Sequence, residues 1–443
     1  MAPARPGVGE LLRRIGALAA PTSAVALLQS AGMLAETWLA ARQGTAALAG
    51  WAVVLPFSLL IQMMSAGAMG GGVVGAIARA LGANRRDEAA ALVVHALVIA
   101  LVAGLIFTVL LAGFPRAILG LIGGPAAAEA AAGYAILLFG LGAVPIWLAN
   151  TLASVLRGGG RHALSARVMV ATGLAYPPLA WALMEPLGMG LPGAGLAMAI
   201  TQVAAAAVQG WVVLRGGAGF TPRLIVPLQR EYFARILRVG LVASALATIA
   251  NLATILVTAR IASHGPAAVA AYGVSARLEF LMIPIAFGVG SALTALVGRA
   301  VGAGDWATAR RTAWAGGMLA FAVTGVVGFL VALFPGATAR AFASDAEVVA
   351  IATEALAIIG PAMPVFGAGM AFYFASLGAG RVRWLVVAGL SRIGLAVGGG
   401  WLLADLLGFG LTGQFVAVAA GITAYGVFCA SAVRPGVWPG AGR

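Results

Sequence analysis

The stretch "ARALGANRRDEA" (residues 78–89) returns in altered form 220 residues later within "GRAVGAGDWATARR" (298–311). At that shift, identical residues align: Arg79 with Arg299, Gly82 with Gly302 and Ala83 with Ala303. Each stretch follows a long apolar run. A glycine suits the end of a helix, where a positive φ angle is needed, and the charged residues after it suit water. The two stretches therefore predict equivalent helix ends in two halves of the chain.

The same shift extends the match without a gap. The further matching positions are Phe114-Pro115 with Phe334-Pro335, Gly140 with Gly360, and Gly158, Gly160 and Arg161 with Gly378, Gly380 and Arg381. Self-similarity at one fixed shift indicates an internal duplication.

The composition indicates an integral membrane protein. Of 443 residues, 62% are hydrophobic and 9% are charged, and the mean hydropathy is +1.03. A soluble domain carries about 25% charged residues. The 27 basic residues are all arginine and give a net charge of +14. They lie between apolar runs and form no dense basic tract, so we expect no nucleic-acid partner.

Twelve segments are long and apolar enough to span a bilayer, which takes about 20 residues each. They lie near 15–41, 47–78, 89–112, 131–155, 163–184, 191–214, 236–261, 267–298, 312–333, 350–376, 384–404 and 411–433. Six spans per repeat is an even number, so both halves enter the membrane in the same direction. We therefore predict an all-α membrane protein with 12 transmembrane helices, in two six-helix lobes related by a pseudo-twofold axis along the membrane normal.

The arginines predict the orientation and the domain boundaries. Only four of them fall in segments placed outside, namely Arg42, Arg116, Arg260 and Arg340, whereas most fall in segments placed inside. By the positive-inside rule both termini are cytoplasmic. The predicted N-lobe is 1–214, the cytoplasmic linker 215–235 and the C-lobe 236–443. The arginine-only, Ala- and Gly-rich usage is typical of a GC-rich bacterial genome and favours the bacterial cytoplasmic membrane.

Further motifs recur at equivalent places in both halves: "LRGGGR" (156–161), "SLGAGR" (376–381), "GLPGAGLAMA" (190–199) and "AAYGVSARLEFLMIPIAFGVGSA" (270–292). Together with the opening stretches they resemble the multidrug and toxic compound extrusion (MATE) family over nearly the whole chain, with its proton-coupled branch favoured over the sodium-coupled one. The resemblance implies a secondary-active exporter of organic, drug-like compounds that works by alternating access between two lobes. It implies no enzymatic activity, a small organic substrate and membrane lipids as partners, and a monomer.

No Gly-rich loop with a lysine is present, so an ion gradient has to drive transport. We expect no cofactor. With one cysteine, Cys429, and three histidines without shared ligand spacing, we expect no metal site, and we expect the histidines to be solvated at loops or helix ends.

Glu36 stands in the otherwise apolar run "MLAETWLAAR" (33–42). An ionisable residue inside a span costs roughly 3 kcal/mol and is a functional candidate. Gln29 and Met33 share its helix face. The resemblance implies that this carboxyl takes up the coupling cation and that the helix bends at Pro21. Alternatively, Glu36 lies at the outer interface, since it is 22 residues beyond Arg14, about 33 Å along a straight helix.

The N-lobe offers polar neighbours for Glu36: Gln62, Asn150, Tyr176, Thr201 and Gln202. Each is a candidate for the substrate or cation cavity, or for a plain helix–helix hydrogen bond. Proton-coupled relatives often carry Asn and Asp on helix 5, whereas "GLAYPPLAWA" (173–182) has neither. Both H⁺ and Na⁺ therefore remain candidates for the coupling ion.

The C-lobe offers Asn251, in a polar stripe on the seventh span, and no acid in the middle of the tenth. A hard cation prefers charged oxygen ligands, so protons are favoured over sodium. Arg277 and Glu279 are two residues apart and do not face each other on a helix, so each needs another partner. For both residues, a structural ion pair and a role in the cavity are equally favoured alternatives. For Arg392 a structural role is favoured.

The sequence thus predicts an antiporter that exports an organic, cationic compound, because an acidic cavity with few counter-charges attracts cations. The alternative is a flippase or exporter for a lipid-linked or anionic metabolite. Only Arg277 and Arg392 favour it. A passive channel is the third candidate.

Overall fold

The computed structural model describes residues 6–223 and 225–438, and within them the chain is helical. The twelve long helices of this part are α1 (Val8–Arg42), α2 (Thr45–Gly82), α3 (Arg86–Ala112), α4 (Pro115–Gly158), α5 (His162–Met184), α6 (Leu191–Leu214), α7 (Arg230–Ala262), α8 (Pro266–Gly302), α9 (Trp306–Leu333), α10 (Ala346–Ala379), α11 (Arg383–Leu406) and α12 (Gly410–Ser431). A short helix, Pro335–Phe342, precedes α10.

Eleven of the described helices are long and apolar enough to cross a membrane. The twelfth, α5, is 23 residues long and occupies the predicted place, but Tyr176, Pro177, Pro178 and Trp181 make it less apolar. No strand occurs among the described residues. The predicted all-α membrane fold with two repeated six-helix halves is confirmed.

Several helices depart locally from α-helical geometry. Turns of π-helix occupy Met63–Ala68 in α2, Thr108–Ala112 in α3, and Gly394–Gly399 and Trp401–Leu406 in α11. In α4, Gly124 has φ 74° and interrupts the helix just before Pro125. A proline suits the first turn of a helix, so the long part of α4 restarts there.

The described chain divides into two compact units. The first unit is Ala20–Leu241. The second contains the other described residues, which are those from Val242 onward and the start of α1 up to Ala19. α1 and α7 are thus each divided between the units. Each unit has its own buried apolar cluster: Ile77, Leu92, Phe139 and Trp147 belong to the first, and Val274, Leu278, Val331 and Leu356 to the second.

Small residues bring the helices of the first unit into close contact. A Cβ on Gly195 of α6 would lie 2.8 Å from the carbonyl oxygen of Tyr134 on α4 and 3.0 Å from the amide nitrogen of Leu138. Likewise, Gly50 of α2 lies against the backbone of α4 at Ala131. Membrane helices pack through such small residues because no hydrophobic effect drives them together. These contacts fix α4, with Tyr134, between α2 and α6.

Buried and charged contacts hold the connection between α6 and α7 to α3. His95 of α3 is fully buried, and its Nε2 accepts a hydrogen bond from the backbone N–H of Gln229 at 2.9 Å. The rings of Tyr232 and Phe233 pack against His95 edge-on. Arg235 also pairs with Glu88. The expectation that His95 is solvated is therefore wrong, because α7 supplies its partners.

The contact at Gly195 can be tested by comparing two equal substitutions. Gly195→Ala forces a Cβ against the backbone of α4, so we expect it to destabilise the protein by about 1–3 kcal/mol, as overpacking does. Gly273→Ala on α8 meets nothing within 4 Å, and alanine favours a helix over glycine by about 1 kcal/mol. Thermal unfolding in detergent should show a lower midpoint for Gly195→Ala only. Equal midpoints would contradict the described contact.

Candidate functional site

Glu36 is a buried carboxyl on α1, with 8% of the residue exposed. Protein side chains thus enclose Glu36, while its depth in the membrane and its coupling role stay predictions. A carboxyl in such a place needs protein groups that replace water, because an unpartnered buried charge is very costly. Three aromatic side chains lie beside Glu36, and one of them donates a hydrogen bond to it.

Tyr134 of α4 makes the main contact with Glu36. Its hydroxyl donates a hydrogen bond to Glu36 Oε1 at 2.5 Å, and Tyr134 is itself 3% exposed. An O–H···O⁻ bond of this length is a charge-assisted hydrogen bond, about twice as strong as a neutral one. Tyr134 therefore stabilises the carboxylate within the helices.

Trp51 of α2 and Tyr176 of α5 lie beside the same carboxyl, and both are buried. The Tyr176 hydroxyl approaches Glu36 but makes no hydrogen bond with the described residues. The Glu36 pocket, as we call Glu36, Trp51, Tyr134 and Tyr176, thus joins four helices. It holds one used and one unused hydroxyl, which suits a carboxyl that gains and loses a proton.

An ion pair lies at the C-terminal end of α1. Arg42 donates to both carboxylate oxygens of Glu185, at 2.6 and 3.2 Å, and the Trp181 indole N–H donates to Glu185 at 3.1 Å. The guanidinium also lies over the Trp38 ring. The hydrogen bond from Arg42 holds the pKa of Glu185 below its ordinary value. Since Glu185 follows α5, this pair ties the segment of α1 that carries Glu36 to the helix that carries Tyr176.

At the other side of Glu36, Pro21 lies inside α1, which continues through it as a helix. Its missing N–H removes one backbone hydrogen bond at this point. Next to it, Thr22 Oγ1 lies 3.0 Å from Nδ1 of the buried His162 at the start of α5. The expectation that His162 is solvated is therefore wrong. The bending role of Pro21 stays a prediction.

The other predicted residues of the first unit lie apart from the Glu36 pocket. Asn150 donates to Gln62 at 3.1 Å and to Ser65 at 2.8 Å. Asn150 is sixteen residues beyond Tyr134 on α4, about 24 Å along the helix, so this group does not neighbour Glu36. Thr201 is buried and bonds to its own helix.

Two predicted cavity residues lie on α1 itself. Gln29 is exposed, whereas Met33 is half-buried and packs against the apolar core of the first unit. Their place in a substrate cavity stays a prediction.

In the second unit, Glu279 of α8 forms an ion pair with Arg392 of α11. Arg277 is exposed and makes no ion pair among the described residues. Asn251 is exposed on α7 and donates to the carbonyl of Ala247. The expectation that Glu279 takes a partner from another helix is thus met by Arg392.

Sequence reasoning missed Tyr134 and Trp51. The available signal was the rarity of tyrosine, with six in the chain. A tyrosine in an apolar span needs a partner for its hydroxyl, and Glu36 is a carboxyl that also needs one. Pairing them requires the rotation of α4 about its axis, which the sequence does not contain.

The model of the MatE family matches residues 21–182 and again residues 241–402. The two matches begin 220 residues apart, which is the shift found between the repeated stretches.

Solved structures of three proteins or states share the fold. A MATE in the bent conformation is 22% identical over 97% of both chains, with a TM-score of 0.89. An outward-facing multidrug resistance MATE family transporter of the MOP superfamily is 22% identical over 97% of this chain and 96% of that chain, with a TM-score of 0.87. A MOP superfamily transporter from Pyrococcus furiosus Vc1 is 22% identical over 97% of both chains, with a TM-score of 0.86, and the reverse polarity of its binding pocket suggests a different function for it.

The two tyrosines of the Glu36 pocket allow a matched test of its geometry. Tyr134→Phe removes the donor to the carboxylate, so we expect a loss of about 1.5–3 kcal/mol in the free energy of unfolding at neutral pH. Tyr176→Phe removes a hydroxyl that makes no hydrogen bond, so its effect should be much smaller. Equilibrium unfolding of both variants measures the difference, and a larger loss for Tyr176→Phe would refute this arrangement.

The ion pair at the C-terminal end of α1 predicts a pH dependence. Because the pKa of Glu185 is lowered in the folded state, the pair stabilises the fold above the ordinary carboxyl range and is lost as the pH falls through the lowered pKa. We expect Glu185→Gln to unfold at a lower temperature than wild type at neutral pH, and the gap to close as the pH falls below the ordinary carboxyl range and through the lowered pKa. A gap that stays constant across this range would argue against the pair.

Proposed function

Because the chain belongs to the MatE family, we propose that it is a secondary-active antiporter that exports an organic compound against a cation gradient. The chain is a membrane transporter of that family. In the proposed cycle the two lobes expose the substrate site alternately to the two sides of the membrane. No enzymatic step and no cofactor is part of the proposal.

The Glu36 pocket is the observation that carries the proposal. A buried carboxyl with one donor bond is positioned to couple an ion gradient to a movement of α1, since a bound ion changes how the helix is held to α4 and α5. We therefore assign Glu36 the coupling role and Pro21 the bending role, as the family resemblance implied.

The chemistry of the pocket favours H⁺ over Na⁺. Hard cations prefer several oxygen ligands, some of them charged; Ca²⁺, for example, takes six to eight. The Glu36 pocket offers one carboxyl and two phenol oxygens, while Trp51 brings only an N–H donor. A proton needs a single oxygen and an adjacent acceptor, which the hydroxyl of Tyr176 can be.

For the substrate we propose an organic cation. The first unit places the acid Glu36 inside its helices without a basic partner among the described residues, and such a charge attracts cations in a low dielectric. The residues proposed to line a substrate or cation cavity are Gln29, Met33, Gln62, Asn150, Tyr176 and Thr201 in the first unit. In the second unit the proposed residues are Asn251, Arg277 and Glu279.

An anionic or lipid-linked metabolite is the second candidate substrate. Arg277 and Arg392 inside spans of the second unit favour it. The Pyrococcus furiosus transporter, whose reversed pocket polarity suggests a different function for that protein, has the same fold. Further parts of the proposal are a monomer in the bacterial cytoplasmic membrane with both termini in the cytoplasm.

Dye efflux from liposomes, with proton and sodium gradients imposed separately, tests the coupling role. We expect wild type to respond to the proton gradient, and Glu36→Gln to lose at least tenfold of that response because its amide cannot exchange a proton. The matched control is Glu129→Gln, an exposed acid paired with Arg116 on the same unit, which should behave as wild type.

Gradient-driven efflux that survives in Glu36→Gln would remove the coupling role from this residue. A response to the sodium gradient alone would change the ion, and flux that persists without either gradient would favour a passive channel.

A further inference from the structure

The pair of Arg392 and Glu279 lies deep in the span region of the second unit. Glu279 is thirteen residues after Pro266, where α8 begins, about 20 Å along the helix. Arg392 is nine residues after Arg383, where α11 begins, about 14 Å along a helix that runs in the opposite direction. Two charged groups so far from both helix starts sit near the middle of the bilayer.

This pair leaves most of its hydrogen-bonding capacity unused. A guanidinium has five N–H donors, and among the described residues Arg392 donates only to Glu279 Oε1. The side chains of Arg392 and Glu279 are 16% and 21% exposed, so the unused groups face open space. A pair with a purely structural role would be expected to satisfy its donors within the protein, because unmade hydrogen bonds at this depth are costly.

The open side of the pair faces water or a ligand rather than lipid. Charged side chains inside spans face the protein interior or a water-filled cavity, because hydrocarbon cannot solvate them. Aromatic rings stand next to the guanidinium: Phe366 has its ring centre 5.3 Å from Arg392 Cζ, and Tyr425 has its own 5.8 Å away. Both rings are buried, so they support one side of the guanidinium, and the place combines a fixed cation and a fixed anion with an open side.

Building on the export function inferred above, we propose that Arg392 is a carboxylate-binding subsite for the substrate, with Glu279 as the counter-ion that the substrate displaces. The planar guanidinium matches a carboxylate with two parallel hydrogen bonds, and the buried rings of Phe366 and Tyr425 hold it in place from the protein side.

Charge balance sets the ligand class. If the substrate's carboxylate binds Arg392 and the substrate brings no cation, Glu279 is left as an unpaired charge within the spans. Such a charge is strongly unfavourable. A compound that carries a cationic centre as well as the carboxylate gives each of the two residues a new partner. The subsite therefore fits an apolar organic compound with both groups, which agrees with the cationic substrate proposed for export.

Binding of two dyes to the purified full chain in lipid nanodiscs tests the subsite. Rhodamine B carries a free carboxylate, whereas its ethyl ester has the same cationic ring system without that charge. We expect wild type to bind rhodamine B at least about tenfold more tightly than the ester, the effect of hydrogen bonds to a charged group. Fluorescence polarisation gives both dissociation constants.

Three variants assign the preference to the pair. Arg392→Gln with Glu279→Gln removes both charges together and should bring the ratio of the two constants to about one. Arg392→Lys keeps the charge but not the planar fork, so its ratio should fall between the two. The matched control is Arg260→Gln with Asp405→Asn, which neutralises another ion pair of the same unit, with N···O 2.7 Å, and should keep the wild-type ratio.

A wild-type ratio near one, or a preference that persists in the Arg392→Gln, Glu279→Gln protein, would overturn the subsite. The same liposome assay separates this outcome from failure of the export function. We expect Glu36→Gln to lose gradient-driven efflux of both dyes and to keep the wild-type ratio of the two dissociation constants. If the wild-type protein shows no gradient-driven efflux but its ratio still depends on Arg392, the subsite is supported and only the transport cycle is refuted.

Discussion

A carboxyl inside a membrane span has to be solvated by protein, and in this chain the hydrogen bond from Tyr134 to Glu36 meets that demand. The geometry of this bond depends on how the neighbouring helices pack. Gly195 lets α6 approach the backbone of α4 at Tyr134, and Gly50 brings α2 to α4 next to Trp51. The ion pair of Arg42 with Glu185 holds α1 against α5. The position of this one hydrogen bond thus depends on small residues in two helices, α2 and α6.

The two halves share a scaffold but differ in chemistry. Glu185 and Asp405 are equivalent at the shift of 220, and each pairs with an arginine near the end of the first helix of its half, Arg42 and Arg260. The charged groups within the spans have no such counterparts: the positions equivalent to Arg392 and Glu279 are Thr172 and Leu59. Duplication therefore supplied the packing and the ion pairs at the ends of α1 and α7, while each half acquired its own polar site.

The family and the helix order could be predicted from the sequence because hydropathy, glycine positions and the repeat are properties of the chain itself. The side-chain environment could not. Tyr134 and Trp51 reach Glu36 only through the rotation and depth of α2 and α4. His95 was misplaced because its partner, the N–H of Gln229, lies 134 residues away in the chain. The partner of Glu279 was sought correctly on another helix, but Arg392 could be identified only from the packing of α8 with α11.

The unused hydroxyl of Tyr176 has a consequence for timing. When Glu36 is charged, a phenol hydrogen can point at it, and when Glu36 carries a proton, the same phenol oxygen can accept that proton's hydrogen bond. Switching between these arrangements needs only rotation about single bonds, which takes picoseconds to nanoseconds, whereas collective helix movements take microseconds to milliseconds. In the proposed cycle, loading of the acid is therefore separated in time from the helix movement, and the helices set the pace of the cycle.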